Sequence, residues 1–511
     1  MDTETLDISK YHQSVVRIIS SGSKFDYKYP FRFAGSTKSS GTAFFINSSG
    51  ILLTCAHCVE DASTIEVEIP EEGKQKFKAK VLVICPTFDL AVLEVIDYKN
   101  KAFCELFQGN PDEVGPQDVT YALGFPLGES HLKATKGIVS GQQSNLIQMD
   151  TPINPGNSGG PLLKNGKVIG VNSAAFLFAN NVGYAVPIWK YKLIKDLPVP
   201  KSRVLRFPTS LGIWFQETTD NFNIFKKNKC NPMGGVLVKK VYKYGPVGQS
   251  TTIKKGDILC EINGQRIDNY GELALKWMNQ KLSIENYIST ICLNSPIALT
   301  FWTGHDIKRE KCIFSTFLLP VHKKYPLYEP ESVQFEVIGG MCLMELSENH
   351  LESGGFFSDN NVLASYNDEM KKTKGKVLIT SILEGSIISS RFSNIIEPNL
   401  FITKLNGKHI HSIEDFRQAL QHPHEVTTEG ATKEKNNFHE FVFSNRSLFV
   451  LSTKELLEED QRLKDIYGYK TSGLLLKLYD NKMKNDHSEK SIIFNSRGKG
   501  GHKKTKKTKK Q

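Results

Sequence analysis

The sequence predicts a mainly β protein, and three observations carry that prediction. From about residue 12 to 200 the chain alternates short apolar runs with turn signals. Helical periodicity is nearly absent there, and strands at such spacing favour barrels or a sandwich. Two later segments each combine β-rich runs, an Asn-Gly turn and a helix, the mark of small α+β modules. At 511 residues the chain is too long for one core and calls for roughly three or four domains.

Each element follows from local pattern. "GTAFFINSSGILLTCAH" reads as strand, turn and strand, with Asn47 to Gly50 turning the chain. "AKVLVICPTFDLAVLEV" repeats the arrangement around Cys85 to Phe88, and "GKVIGVNSAAF" and "NVGYAVPI" close the section. "DLPVPKSRVLRFP" reads as a linker. The first module runs from "SLGIWF" through "IKKGDILCEINGQRI", the second from "GKVLITSILEG" through "NLFITKLNGKHIHSIEDF". Asn263-Gly264 and Asn406-Gly407 hold matching places, as do Gly256-Asp257 and Pro398-Asn399. "LLPVHKKYPLYEPESV" connects the two.

Composition narrows the function classes. With 39% hydrophobic and 23% charged residues the chain fits a soluble globular protein. The start shows no secretory signal, and no window nears the ~18 apolar residues of a membrane span. Nine cysteines, an odd number without regular spacing, read as free thiols in a reducing compartment, hence an intracellular protein of cytoplasm or nucleus. The net charge of +11 sits mostly in residues 497–511, which hold eight Lys or Arg and no acid. That tail is expected to be disordered. Nuclear import, weak nucleic-acid contact and plain solubilisation are its three readings. "GGPLLKNGKV" lacks the spacing of a phosphate loop, so no nucleotide chemistry is indicated.

Three reactive side chains stand at strand margins in the order His57, Asp89, Ser158. Ser158 lies in "NPGNSGGPLL", among small residues and turn-formers. That composition suits an ordinary tight loop, and equally a nucleophile that needs room and converging backbone N–H groups. The order and placement of all three favour the second reading. Cys55 and Cys58 bracket the histidine as "CAHC"; no second C-x-x-C or histidine pair at zinc spacing accompanies them, so they read as small buried thiols and no metal site is expected.

"TCAHCV", "DLAVLEV", "ALGFPLG", "TKGIVSG" and "IQMDTPINPGNSGGPLL" follow one another as in trypsin-like serine proteases of the HtrA/Deg family, which the chain resembles over roughly residues 12 to 475. The resemblance implies a double β-barrel protease domain at 1–200, a PDZ domain at 201–318, a linker at 319–334, a divergent plant-type second PDZ domain with an extension at 335–480, and a disordered basic tail at 481–511. It implies Ser158 as nucleophile, His57 as base, Asp89 as its orienting acid and Ser173 as support for Asp89. Gly156 and Ser158 are implied to supply the oxyanion hole. Ile153, Ala175 and Val182 fall at the primary specificity pocket; none is charged, so cleavage after small or medium aliphatic residues is expected. Leu211, Gly212 and Ile213 match the loop that receives a peptide's terminal carboxylate, with Leu273 and Trp277 on a helix beside it or in the core. An ATP-independent endopeptidase of unfolded or misfolded chains follows, without cofactor, assembled as a homo-oligomer (a trimer or a multiple of it). The alternative is a latent protease acting as chaperone or peptide-binding scaffold.

Overall fold

A computed structural model of the chain describes residues 6–99, 102–109, 113–143, 145–175, 182–230, 234–275, 281–328, 333–352, 361–428 and 434–470. The basic tail and Trp277 lie outside the described residues. Two compact units emerge. One comprises Met1–Phe25, Phe33–Val333 and Asp368–Thr373; the other comprises Asp26–Arg32, Gln334–Asn367 and Lys374–Gln511.

The first unit opens with six strands: β1 (Val15–Phe25), β2 (Phe33–Phe45), β3 (Ile51–Thr54), β4 (Thr64–Glu68), β5 (Lys76–Cys85) and β6 (Leu90–Val95). They close into a barrel in the order β1-β2-β3-β6-β5-β4. A second closed barrel follows from β7 (Val119–Gly124), β8 (Lys133–Gln143), β9 (Leu146–Met149), β10 (Pro161–Lys164), β11 (Lys167–Ala175) and β12 (Gly183–Pro187), ordered β10-β11-β12-β9-β8-β7. The two-residue period of a strand sends neighbours to different cores. Val16, Ile18, Ala43 and Phe45 fill the first barrel, whereas Val15 and Phe44 join the cluster shared with Leu123 and Leu163 of the second.

A PDZ-like sheet completes this unit, with β13 (Ile213–Gln216) at its edge, then β14 (Val236–Val241), β15 (Ile258–Ile262), β19 (Pro296–Trp302) and β20 (Ile307–Ile313). Between them lie the short strands β16 (Gln265–Arg266), β17 (Glu272–Leu273) and β18 (Leu282–Ser283). Leu273 is fully buried in a strand rather than placed on a helix. The stretch read as a linker packs against the first barrel. Val204, Leu205 and Phe207 are too apolar to remain in water; Val204 bridges Ile84, and the Phe207 ring lies 4.3 Å from that of Phe88. The later connector packs likewise, with Val321 buried and the Tyr328 hydroxyl bonded to the Val59 and Ala62 carbonyls.

The second unit is a sheet of β21 (Phe335–Ile338), β22 (Met341–Glu345), β23 (Val377–Ile382), β24 (Phe401–Leu405), β25 (Lys408–His409), β26 (His424–Thr428), β27 (Glu434–Phe443) and β28 (Leu448–Ser452). The helix Ile413–Leu420 begins with a capping box between Ser412 and Asp415 and buries Phe416 in the core. Both Asn-Gly turns have positive φ at each residue, the hairpin form that matches strand twist. One expected correspondence shifts by a residue. Gly256 N–H donates to the Val238 carbonyl as Asn399 N–H does to that of Ile379, and both residues have positive φ. Asn399 therefore takes the place of Gly256, not of Asp257, since Asn tolerates the left-handed region.

The expectation of nine free thiols is corrected: Cys230 and Cys260 are joined in a disulfide, with Cα atoms 5.5 Å apart. No spacing rule announced it, because β15 reaches Cys230 only through folding. The bond spans a sequence separation of 30 residues, so by chain entropy it stabilises this module by about 2–4 kcal/mol. Reduction, or paired Cys230→Ser and Cys260→Ser substitution, should lower its denaturant midpoint accordingly. Identical unfolding curves before and after reduction would show that the crosslink is energetically idle.

Candidate active site

Strand pairing explains why His57 and Asp89 meet. β3 and β6 are neighbours with Thr54 opposite Ala91, so the residues just beyond those ends face each other. After β3 the chain makes a 3-10 turn, Ala56–Cys58. Before β6 it makes another, Pro86–Phe88, which Asp89 ends in the left-handed region at φ 52°. The His57 Nδ1 lies 3.0 Å from both Asp89 carboxylate oxygens, and its backbone N–H donates to Oδ1 at 3.1 Å.

The second barrel supplies the rest. Ser173, on β11, donates its hydroxyl to Asp89 Oδ2 at 2.5 Å. Its carbonyl accepts the Ser158 hydroxyl at 2.9 Å. Among the described residues Ser158 makes no hydrogen bond to His57, so the serine rests turned towards β11. Thr42, on β2 of the first barrel, ties the serine loop down: its N–H donates to the Ser158 carbonyl at 2.9 Å and its hydroxyl to the Gly156 carbonyl at 2.7 Å. Sequence reasoning missed Thr42, which lies in an unremarkable strand and carries no motif.

The small residues around Ser158 have steric causes. At Gly159, φ is +86° and a Cβ would stand 2.1 Å from the Thr42 carbonyl oxygen. At Gly156, φ is +101° and a Cβ would stand 2.3 Å from the Phe125 carbonyl oxygen. Asn154 to Asn157 form a turn closed by Asn157 N–H on the Asn154 carbonyl at 3.0 Å. Proline second and a positive-φ glycine third are the type II pattern. The Pro155 carbonyl accepts the Leu127 N–H at 2.6 Å. In a planar trans peptide the Gly156 N–H must point the opposite way. Neither that N–H nor that of Ser158 has an acceptor among the described residues.

Electrostatics bind the pair. Burial would raise the Asp89 carboxyl, but hydrogen bonds from His57 and Ser173 hold it below the usual carboxylate range. Burial would lower the His57 imidazole; the hydrogen bond to Asp89, then neighbouring Cys58, outweigh it and raise it. The other sequence candidates are placed as follows. Ile153 is buried with its Cγ1 3.1 Å from where a Gly183 Cβ would be, and Gly183 pairs with Ala175 across β11 and β12. Val182 is half-buried beside them. Leu211 is buried, and its carbonyl accepts the Val247 N–H. The Gly212 N–H is taken by Ser210 Oγ at 3.2 Å and so is engaged within the loop. Ile213 opens the edge strand β13, and the Tyr242 N–H to Gly212 carbonyl bond makes Ile213–Val241 a narrow pair whose N–H faces the free edge.

Comparison with known proteins agrees with this architecture. Residues 41–171 match the trypsin-like peptidase domain and residues 325–469 match the PDZ domain. The chain therefore carries a trypsin-like peptidase domain and, further along, a PDZ domain. It is 26% identical over 440 residues to putative protease Do-like 3, mitochondrial, of Arabidopsis thaliana, covering 82% of this chain and 73% of that one. To the probable periplasmic serine endoprotease DegP-like of Pseudomonas putida (strain W619) it is 33% identical over 247 residues, covering 45% of this chain and 48% of that one. The chain thus spans about half the length of that bacterial relative. Among solved structures, HtrA-type protease AlgW with decapeptide is similar with 22% identity and a TM-score of 0.46, over 61% of this chain and 98% of that one. These relatives are Do-like and DegP-like proteases, to which the chain is similar.

A raised imidazole keeps its proton to higher pH than a free one. The His57 ring should therefore titrate above about 6.5 in an NMR pH series of the full chain. In Asp89→Asn, where burial acts without the opposing carboxylate, the midpoint should drop below that of the wild type. Equal midpoints in the two chains would show that Asp89 does not hold the ring.

Proposed function

We propose that the chain is an ATP-independent serine endopeptidase that attacks peptide bonds of unfolded polypeptides through Ser158. One observation carries this reading: among the described residues Ser158 has two unengaged backbone N–H groups beside it, those of Gly156 and its own, and its hydroxyl is bonded to Ser173, the residue whose own hydroxyl holds the Asp89 carboxylate against His57. In that reaction Ser158 Oγ leaves the Ser173 carbonyl by rotating about χ1 and gives its proton to the His57 Nε2. The new oxyanion takes the two N–H groups, and the imidazolium is stabilised by Asp89. His57 then hands the proton to the leaving amine, and water repeats the cycle on the acyl-enzyme.

Ile153, Val182 and the small Gly183 support a preference for small or medium aliphatic residues before the cut. Lys or Arg there would bring a charge without a partner. The free edge of β13 supports addition of an extended peptide, with the Ile213 N–H available for its terminal carboxylate. Assembly as a homo-oligomer belongs to the same reading. A second reading, a latent protease that only holds chains, is favoured by the resting Ser158 hydroxyl, which points at Ser173 rather than His57.

Casein hydrolysis and fluorophosphonate labelling separate the two. Wild type should cleave and label, and Ser158→Ala should do neither. Gly156→Ala keeps the N–H but cannot hold φ +101° with a Cβ 2.3 Å from the Phe125 carbonyl oxygen, so the donor should be turned away and kcat should fall by about 10²–10³-fold. Cleavage by Ser158→Ala equal to wild type would remove the hydrolase reading. The acid limb of the pH–rate profile should lie above about pH 6.5, because the base form disappears as pH falls through a raised pKa. In a peptide library, hydrolysis should concentrate after Val, Ala and similar residues; dominant cleavage after Arg would refute the pocket assignment.

A further inference from the structure

Cys55 has no part in the hydrolytic reading, yet folding sets its thiol against the reacting groups. One ligand atom each of Cys55, His57 and Asp89 lies within 4.8 Å of the other two. The sequence offers only "CAHC", two sulfurs and one imidazole; the third kind of donor arrives from 32 residues away, on the far side of the β3–β6 pairing. The thiol side of the cluster is closed: Cys55 is fully buried and donates its S–H to the Asn172 carbonyl at 3.1 Å. The other side is open, with the His57 and Asp89 side chains 44% and 28% exposed. An ion can therefore reach His57 and Asp89 from solvent.

The donor set selects the ion. A thiolate, an imidazole nitrogen and a carboxylate oxygen suit zinc, with bonds of about 2.0–2.3 Å in a tetrahedron. Magnesium and calcium prefer all-oxygen shells of six or more donors and fit badly. Three protein ligands leave a fourth position for water. We propose that Cys55, His57 and Asp89 form a binding site for a thiophilic divalent cation of the zinc class, whose occupancy reversibly silences the active centre.

The silencing rests on the proposed role of His57 as base. On binding, Cys55 releases its proton to solvent, and its sulfur lone pair goes to the ion. Nδ1, the nitrogen that faces Asp89, likewise gives its lone pair to the ion, and the one proton left on the ring is carried by Nε2. The ring is then neutral but has no free lone pair, and Ser158 loses its proton acceptor. The ion need not touch the serine.

Binding can be read without catalysis. Cobalt(II) titrated into metal-stripped, full-length Ser158→Ala should give a thiolate-to-cobalt charge-transfer band that saturates at one ion per chain and is removed by equimolar zinc. The band should vanish in Ser158→Ala/Cys55→Ser, with affinity at least tenfold weaker, and persist in Ser158→Ala/Cys58→Ser. X-ray absorption of the zinc-loaded wild type should count one sulfur ligand, which needs no variant to fold. Zinc should also stop casein cleavage by wild type, and chelator should restore it. A band that survives loss of Cys55, or a zinc shell with no sulfur or two, overturns the proposal. A chain that binds cobalt through Cys55 but never cleaves casein sinks the hydrolase reading alone; one that cleaves but shows no band sinks this site alone.

Discussion

A single carboxylate in a gap between two barrels sets the terms for this molecule. Asp89 is largely withdrawn from water, and a buried carboxylate is tolerated only when donors surround it. The first barrel contributes two, the backbone N–H and Nδ1 of His57; the second contributes the Ser173 hydroxyl. Because the donors come from both barrels, the charge cannot be satisfied unless the barrels are correctly apposed. The same requirement orients the imidazole and brings β11, with its Ser173 carbonyl, against the serine loop.

Thr42 completes that apposition from the opposite strand. It accepts the Phe125 N–H while giving its own N–H and hydroxyl to the serine loop, so one side chain of the first barrel braces two loops of the second. Against this brace the loop has almost no free volume, which is why glycine recurs there. The positive φ at Gly156 is a backbone requirement with a chemical consequence: it turns one amide N–H out of the turn's own hydrogen bonding. Packing and reactivity are thus one constraint viewed from two sides.

The two PDZ-like modules show how differently one β pattern can be finished. In the first, a crosslink between Cys230 and Cys260 coexists with an edge at β13 that pairs with no second strand among the described residues, so the sheet is stiffened away from that edge. In the second, Asn399 replaces glycine at the strand-entry turn and the long strand β27 pairs with β24, β26 and β28. Its interior is aromatic, with the Phe441 ring 6.4 Å from that of Phe416 and 6.1 Å from that of Phe449.

Period-two apolar runs, turn residues and the linear order of His57, Asp89 and Ser158 were all legible in the sequence, because each is a local property of neighbouring residues. So were the Asn-Gly turns and the helix that follows the second of them, for the same reason. Thr42 as a brace, the Cys230–Cys260 bond, the burial of the Val204–Phe207 stretch and the approach of Cys55 to Asp89 were not. Each depends on groups brought together from distant positions by strand pairing or core packing, and no local pattern encodes such a meeting. Amino-acid order alone determined which chemical groups the chain carries and which elements display them; only the tertiary structure decided which of those groups touch, since contact is fixed by how the barrels close and where their shared core draws them together.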